Sequence, residues 1–420
     1  MIRILLYCLM LILSQNVYAG KELCTHVNGG KICTPVTSLP LSPGSSLEQT
    51  TNYSIFVPDS YNTNPIETPP SLSCLYGLTA HVPGCPINGT TAVPTGGSGF
   101  IGIIDRNYDS SVWNDFNTFS EHYGLPTCTL PSPIPTQPPV AGAPSSSCFQ
   151  IVKLTSATLP TPDDNGGEQH IDVEWAHAMA PNAKIILFLG DNSQSLEDLA
   201  ARASSWLTQY AGGGIISMSI AGPEFPGELA SDASYQTPGI IYISSAGDYG
   251  TPARYPSASP YVISAGGTMI IRDADGNFVR EEAWNHGGGI GSGGPSLYEP
   301  RPLYQNSVEK IVGTARGTPD IAFAAYSLSI YNSNPDSNCH GWCAANGTSI
   351  SAPALAGIIN SANHGSQSSA EELTYIYNSA LKQYAENWHD IIVGKSNLYT
   401  TLKGYDFCTG LGSPIGYGGK

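Results

Sequence analysis

The run Gly347-Thr348-Ser349-Ile350-Ser351-Ala352-Pro353 opens an apolar stretch, Ala354 to Asn363, and carries the clearest chemistry in the chain. Gly-Thr-Ser turns the backbone sharply and sets a hydroxyl at the first turn of a helix. Free N–H groups and the helix dipole favour negative charge there. Pro353 stands four residues after Ser349, where its missing N–H could only have bonded back to the Ser349 carbonyl. The first turn has donors to spare, so a proline fits. A nucleophilic serine is presented in this way.

Such a serine needs a base. The chain has nine histidines, His26, His81, His122, His170, His177, His286, His340, His364 and His389, and none stands in a His-Gly-Thr-His setting. Carboxylates are offered instead. Glu168 and Asp172 lie four apart in the segment Gly167 to Pro181, a spacing that puts both carboxyls on one helix face, while His170 points away from them. A third acid, Asp248, follows the apolar run Gly239 to Ser244, which places it beyond the carboxyl end of a buried strand, where open α/β sheets keep their sites. An aspartic acid can donate a hydrogen bond to an oxyanion only while it is protonated. Each residue also has a plainer reading: a solvated Glu/Asp helix face, an N-cap serine, a turn aspartate. Their joint occurrence favours a catalytic set.

The serine loop, the Glu-x-x-x-Asp helix and the strand-end Asp, with Ile216 to Glu224, Trp284-Asn285 followed by Gly287 to Ser296, Arg316 to Ala322 and Tyr405 to Pro414, resemble the sedolisin (serine-carboxyl peptidase) family. The likeness runs from about Thr68 to the C-terminus. It implies a subtilisin-like α/β fold, a parallel sheet with helices on both faces in a single catalytic domain. It implies an endopeptidase in which Ser349 is the nucleophile, Glu168 the base, Asp172 its partner and Asp248 the oxyanion donor. Carboxyl catalysis in turn implies work at acid pH, where a histidine base is already protonated. The resemblance also implies one structural Ca2+, held by the carboxylates of Asp390 and Asp406 and the carbonyls of Ile391, Leu402 and Gly404, a hard-oxygen set of the kind calcium prefers. Leu402 stands where the family commonly has glycine, and Ile220 where it usually has tryptophan. Asp105, ending the strand Phe100 to Ile104, could join the carboxyl network or cap the following turn.

Composition bounds the rest. Met1 to Ala19 read as a secretory signal, with Arg3, an apolar core from Ile4 to Leu13 and the small-residue site Val17-Tyr18-Ala19. No later stretch has the ~18 apolar residues of a membrane span. After Cys8, nine cysteines remain, largely as near neighbours: Cys24/Cys33, Cys74/Cys85, Cys128/Cys148 and Cys339/Cys343, with Cys408 left over. Local disulfides in an oxidising compartment are the natural reading. A metal site at Cys339-His340…Cys343 lacks two further ligands. The formal charge is −16 with only 17 Lys+Arg, so no basic stripe exists to hold nucleic acid. Low cationic density also limits self-repulsion in acid.

Along the chain, residues 20–67 are rich in Ser, Thr, Pro and Asn and read as an extended arm, too short for the long prosegment such enzymes usually carry. From Phe100 apolar strands alternate with helical patterns at Val112 to Tyr123, at Glu168 and at Leu196 to Tyr210, which implies a parallel sheet with both faces covered. The expectation is a secreted (extracellular or periplasmic) monomer with a peptidase domain over 68–420, acting on proteins or peptides. A substrate strand would pair between Ser217 to Gly222 and Gly287 to Gly294. Three other readings stand beside it: an inactive relative that binds peptides or a protein partner, a histidine-based subtilisin, and an acid glycosidase using Glu168 and Asp172, which leaves the serine loop without a purpose.

Overall fold

Runs of branched aliphatic residues become the strands of one sheet: β1 (Phe100–Arg106), β2 (Phe149–Lys153), β3 (Lys184–Gly190), β4 (Gly214–Met218), β5 (Ile240–Ser245), β6 (Ile263–Arg272), β7 (Phe278–Ala283) and β8 (Ile321–Ala324). Their spatial order is β7-β6-β5-β4-β1-β3-β2, with β8 also paired to β6. Every pair is parallel except β6 with β7. The structure is a computed structural model that describes residues 65–162, 167–339 and 341–420, together with the backbone of three short strands, Glu22–Val27, Gly30–Pro35 and Val57–Pro58.

Five longer helices flank the sheet: α1 (Val112–Tyr123), α2 (Gly167–Met179), α3 (Leu196–Ala211), α4 (Thr348–Ala362) and α5 (Ser369–Asn387). Two apolar clusters lie on its opposite faces. Ile103 of β1 joins Phe116, Ile171, Trp175 and Leu355 on the side of α1, α2 and α4. Its neighbour Ile104 joins Phe188, Leu199 and Trp206 on the side of α3. Adjacent strand residues point to opposite faces, so a strand covered on both sides reads as a continuous apolar run. Each such side chain taken fully out of water contributes about 1.5–3 kcal/mol. The expected architecture is the one observed.

The acid-bearing helix and the serine-bearing helix are packed against each other. At Gly357 of α4 an added Cβ would fall 2.7 Å from the Met179 Cβ and 2.8 Å from the Ala176 carbonyl oxygen of α2. Only glycine permits so close a crossing. Trp175, wholly buried, donates its Nε1–H to the Ser329 carbonyl at 3.1 Å and fixes the rotation of α2. All parallel strands end on one edge, which brings Asp105, Ser219 and Asp248 to the same side of the sheet.

Parts of the N-terminal region are bound to this body. Val57–Pro58 pairs with the strand Gly341–Ala345. Glu67 accepts from Arg272 Nε at 2.7 Å and Nη2 at 2.6 Å, a buried two-pronged ion pair. Disulfides join Cys74 to Cys85, Cys128 to Cys148 and Cys339 to Cys343. The last excludes a thiolate metal site there, and the second closes the Pro/Ser-rich loop between its two cysteines. Cys24 faces Cys33 across the hairpin of Glu22–Val27 and Gly30–Pro35, but their side chains lie outside the described residues, as does the signal at 1–19. Cys408 is a buried free thiol. No helix among the described residues is long and apolar enough to cross a membrane.

Candidate active site

Ser349 is the second residue of α4. Its N–H is therefore among the four that a helix start leaves without an internal partner. Gly347 leads into the helix at φ 149°, and an added Cβ there would lie 3.1 Å from Asp248 Oδ2. Glycine is thus required both for the turn and for the space beside that acid. The Ser349 side chain is buried, and its Oγ has no hydrogen-bond partner among the described residues. An unbonded buried hydroxyl costs stability, a cost characteristic of groups kept for reaction.

Asp248 stands three residues beyond β5 and is almost wholly buried. Its Oδ1 accepts the Thr348 N–H at 2.9 Å and the Thr348 hydroxyl at 2.5 Å. Its Oδ2 is buried with no partner among the described residues. Burial pushes this carboxyl up to about 6, against the opposing pull of the two Thr348 bonds and of the Arg254 guanidinium. With Oδ1 engaged as an acceptor, Oδ2 is the oxygen left to carry the proton. The neutral group is then a donor facing the turn that holds Ser349.

Asp172 lies fully buried in α2 and accepts from the Ser219 hydroxyl at 2.6 Å. The same hydroxyl stands 3.1 Å from the Ser349 carbonyl oxygen. Asp172 is thereby two hydrogen-bond contacts from the backbone of the serine. Glu168 occupies the first turn of α2, half-buried, one helical turn from Asp172 on the same face. The structure thus gathers Ser349, Asp172 and Asp248 around the first turn of α4, with Glu168 one turn further along α2. Asp105, at the carboxyl end of β1, is buried and accepts its own neighbour's N–H, Arg106, at 2.7 Å.

Histidines are occupied elsewhere. His170 lies 2.9 Å from Asp115, and His177, pushed down to about 4 by burial, bonds the Pro126 carbonyl. His389 meets Glu281. His81, His122, His286 and His364 rest against Cys85, Trp342, Tyr326 and Tyr375. None of these contacts reaches Ser349, and the side chains of His26 and His340 lie outside the described residues.

Two contributors carry little sequence signal. Ser219 is one of many serines, and only the end of β4 brings it to Asp172. Arg254 is buried, donates to the Ala221 carbonyl at 3.2 Å, and sits 5.7 Å from the Tyr249 ring centre. Ile220, in the place of the family's usual tryptophan, faces the α3-side apolar cluster.

The second expected site lies at the tail. Asp390 Oδ1 accepts the Gly404 N–H at 2.9 Å and the Tyr384 hydroxyl at 3.1 Å; that hydroxyl also stands 3.3 Å from the Gly404 carbonyl oxygen. Asp406 Oδ2 accepts the Leu402 N–H at 2.9 Å, and Oδ1 accepts those of Cys408 and Thr409 at 2.8 Å. Burial pushes Asp406 up to about 6, opposed by those backbone bonds. Ile391 is buried and Leu402 half exposed. Two carboxylates therefore converge on the loop that carries the Leu402 and Gly404 carbonyls. The donors are all hard oxygens, and the partners that draw Asp406 down are N–H and hydroxyl groups rather than cationic side chains. This set fits a divalent cation.

Comparison with known proteins gives the family. Residues 160–393 match the model of the subtilase family, more than half of the chain, so the chain belongs to that family. Within it the likeness is to the sedolisins, the serine-carboxyl peptidases. Kumamolisin of Bacillus sp. (strain MN-32) is 32% identical over 305 residues, covering 64% of this chain and 54% of that protein. Xanthomonalisin of Xanthomonas sp. (strain T-22) is 25% identical over 399 residues, covering 78% and 44%. The solved Pseudomonas sedolisin, a serine-carboxyl proteinase complexed with two molecules of pseudo-iodotyrostatin, superposes with a TM-score of 0.66 at 22% identity, over 84% of this chain and 96% of that one, a likeness of fold. The chain spans about half the length of the curated relatives it matches.

Proposed function

We propose that the chain is a serine-carboxyl endopeptidase that works in acid. Ser349 Oγ attacks the scissile carbonyl carbon while its proton passes to Glu168, which Asp172 orients. The oxyanion so formed accepts hydrogen bonds from neutral Asp248 and from the Ser349 N–H. Glu168 returns the proton to the leaving amine as the C–N bond breaks. Water then repeats the sequence on the acyl-enzyme and frees Ser349. The observation that supports this reading most is the buried Asp248 carboxyl, anchored through Oδ1 beside the serine with Oδ2 unbonded.

Acid operation is supported beyond the site. Burial also raises Glu228 and Glu299, each to about 8. A group raised in the folded state stabilises the fold fully below its unfolded value, and that stability is lost as pH rises through the folded one. Here the loss spans about pH 4 to 8. The disulfides support an exported protein, and membership of a peptidase family supports protein or peptide chains as substrates.

The test is a pH profile of kcat/KM on a peptide library. Activity should be greatest in acid and fall about tenfold per pH unit above about 6, as Asp248 ionises. Glu168→Gln should lower kcat by about 10²–10⁴-fold, as removal of a general base does. Full activity at pH 8 with none at pH 4 would sink the reading.

The tail site would hold one Ca2+ through Asp390, Asp406 and the carbonyls of Ile391, Leu402 and Gly404. The ion would supply charge that holds the loops together and take no part in the reaction. At pH 7, removing calcium with a chelator should lower the melting temperature by about 3–6 °C, the change expected for loss of a ligand near a hundredfold above its Kd. The effect should shrink below pH 6, where Asp406 takes up a proton, and vanish in Asp406→Asn. A chelator effect of equal size in that variant would contradict the assignment.

A further inference from the structure

Pro353 leaves the Ser349 carbonyl without its helical partner, because the residue four positions on has no N–H to give. The Ser219 hydroxyl is placed to fill that gap, 3.1 Å from the carbonyl oxygen, and it is also 2.6 Å from Asp172 Oδ1. A hydroxyl has one hydrogen. It donates either to the carboxylate or to the carbonyl, and cannot do both. The carboxylate is the nearer acceptor, and an ionised one is the stronger. When Asp172 carries a proton, its O–H can donate a hydrogen bond to Ser219 Oγ, and the Ser219 hydrogen then turns to the carbonyl.

We propose that Ser219 is a positioning residue that couples the protonation state of Asp172 to the backbone of the nucleophile. While Asp172 is ionised it holds the Ser219 hydrogen. As the Ser349 proton moves onto the carboxyl pair, Ser219 is released to the Ser349 carbonyl and secures the first turn of α4 while the serine bears the acyl bond. This rests on the peptidase reading. It adds to it a residue that touches neither substrate nor reacting atom.

Several ionisable groups lie near Asp172 among the described residues. Glu168 shares its helix face, Asp105 ends the neighbouring strand, and Asp248 lies on the far side of Thr348. His170 and Glu174 of the same helix are held by Asp115 and by the Tyr331 N–H. Arg254 is turned to the Ala221 carbonyl. Ser219 bonds Asp172 directly, so a change made there acts on the Glu168–Asp172 pair.

The experiment is a four-member cycle: wild type, Ser219→Ala, Pro353→Ala and the double variant, each measured for kcat/KM against pH and for melting temperature against pH. Ser219→Ala removes a donor from the ionised pair, so the acid limb should move to higher pH by about one unit. Its kcat should fall about tenfold to a hundredfold with little change in KM. Pro353→Ala restores an N–H that can bond the Ser349 carbonyl, and should keep the wild-type acid limb. The double variant should regain the melting temperature lost in Ser219→Ala while its acid limb stays displaced.

An unmoved acid limb in Ser219→Ala would overturn the coupling. So would a double variant that recovers both limb and stability, since Ser219 would then serve only to satisfy a carbonyl. A wild type that cleaves no peptide would remove the peptidase reading instead. The melting temperatures of the same four proteins would still report the displaced titration or its absence.

Discussion

Ser349→Ala is expected to lower kcat on an internally quenched peptide at pH 4 by at least about 10⁴-fold, the scale on which loss of a peptidase nucleophile acts. The same variant should melt at the wild-type temperature or slightly above. Both expectations come from one observation: Ser349 Oγ is buried with no partner among the described residues. Removing it breaks no bond among the described residues and ends the cost of a buried hydroxyl without a protein partner, as at other sites where activity is held at the expense of stability. The measurement is kcat together with a thermal melt on the same preparation. Residual cleavage within tenfold of wild type would mean that another group attacks, and a large drop in melting temperature would mean that the hydroxyl holds the fold.

Much of this was legible in the sequence because strands covered on both faces write themselves as apolar runs. Phe100 to Ile104 and Gly239 to Ser244 have no other use, and the turns after them fix where Asp105 and Asp248 must stand. The acids of α2 were legible for the same local reason, since a spacing of four means a shared helix face. Contacts between distant segments were not. Nothing in Ser217-Met218-Ser219 marks the third residue as the one that meets Asp172, because that depends on how β4 ends relative to the crossing of α2 and α4. Glu67 and Arg272 pair across 205 positions with no pattern to announce them. Arg254 was equally silent, although its charge opposes the burial that raises Asp248.

Asp248 offers the sharpest separation of chemistry from fold. Asp248→Ala removes the proposed oxyanion donor and the acceptor of the Thr348 N–H and hydroxyl together, so kcat should fall about 10²–10³-fold and stability should fall with it. Asp248→Asn keeps the shape. Its Oδ1 can accept from Thr348 as before, and its amide stands where Oδ2 carried the proton, now as a donor at every pH. Wild-type activity should therefore decline above about 6, whereas the asparagine variant should hold its kcat from pH 5 to 7. Linkage gives the matching stability result. The folded value, about 6, lies above the ordinary aspartate value of 3.8, so the neutral form is favoured in the fold. That contribution, about 3 kcal/mol if the whole shift is realised, is present below pH 4 and lost as pH rises through 6. Asp248→Asn does not titrate, so its melting temperature should fall less than that of the wild type between pH 4 and 7. If both proteins lose activity and stability in parallel over that range, the acid dependence resides in other carboxyls, with Glu228 and Glu299 the first to substitute.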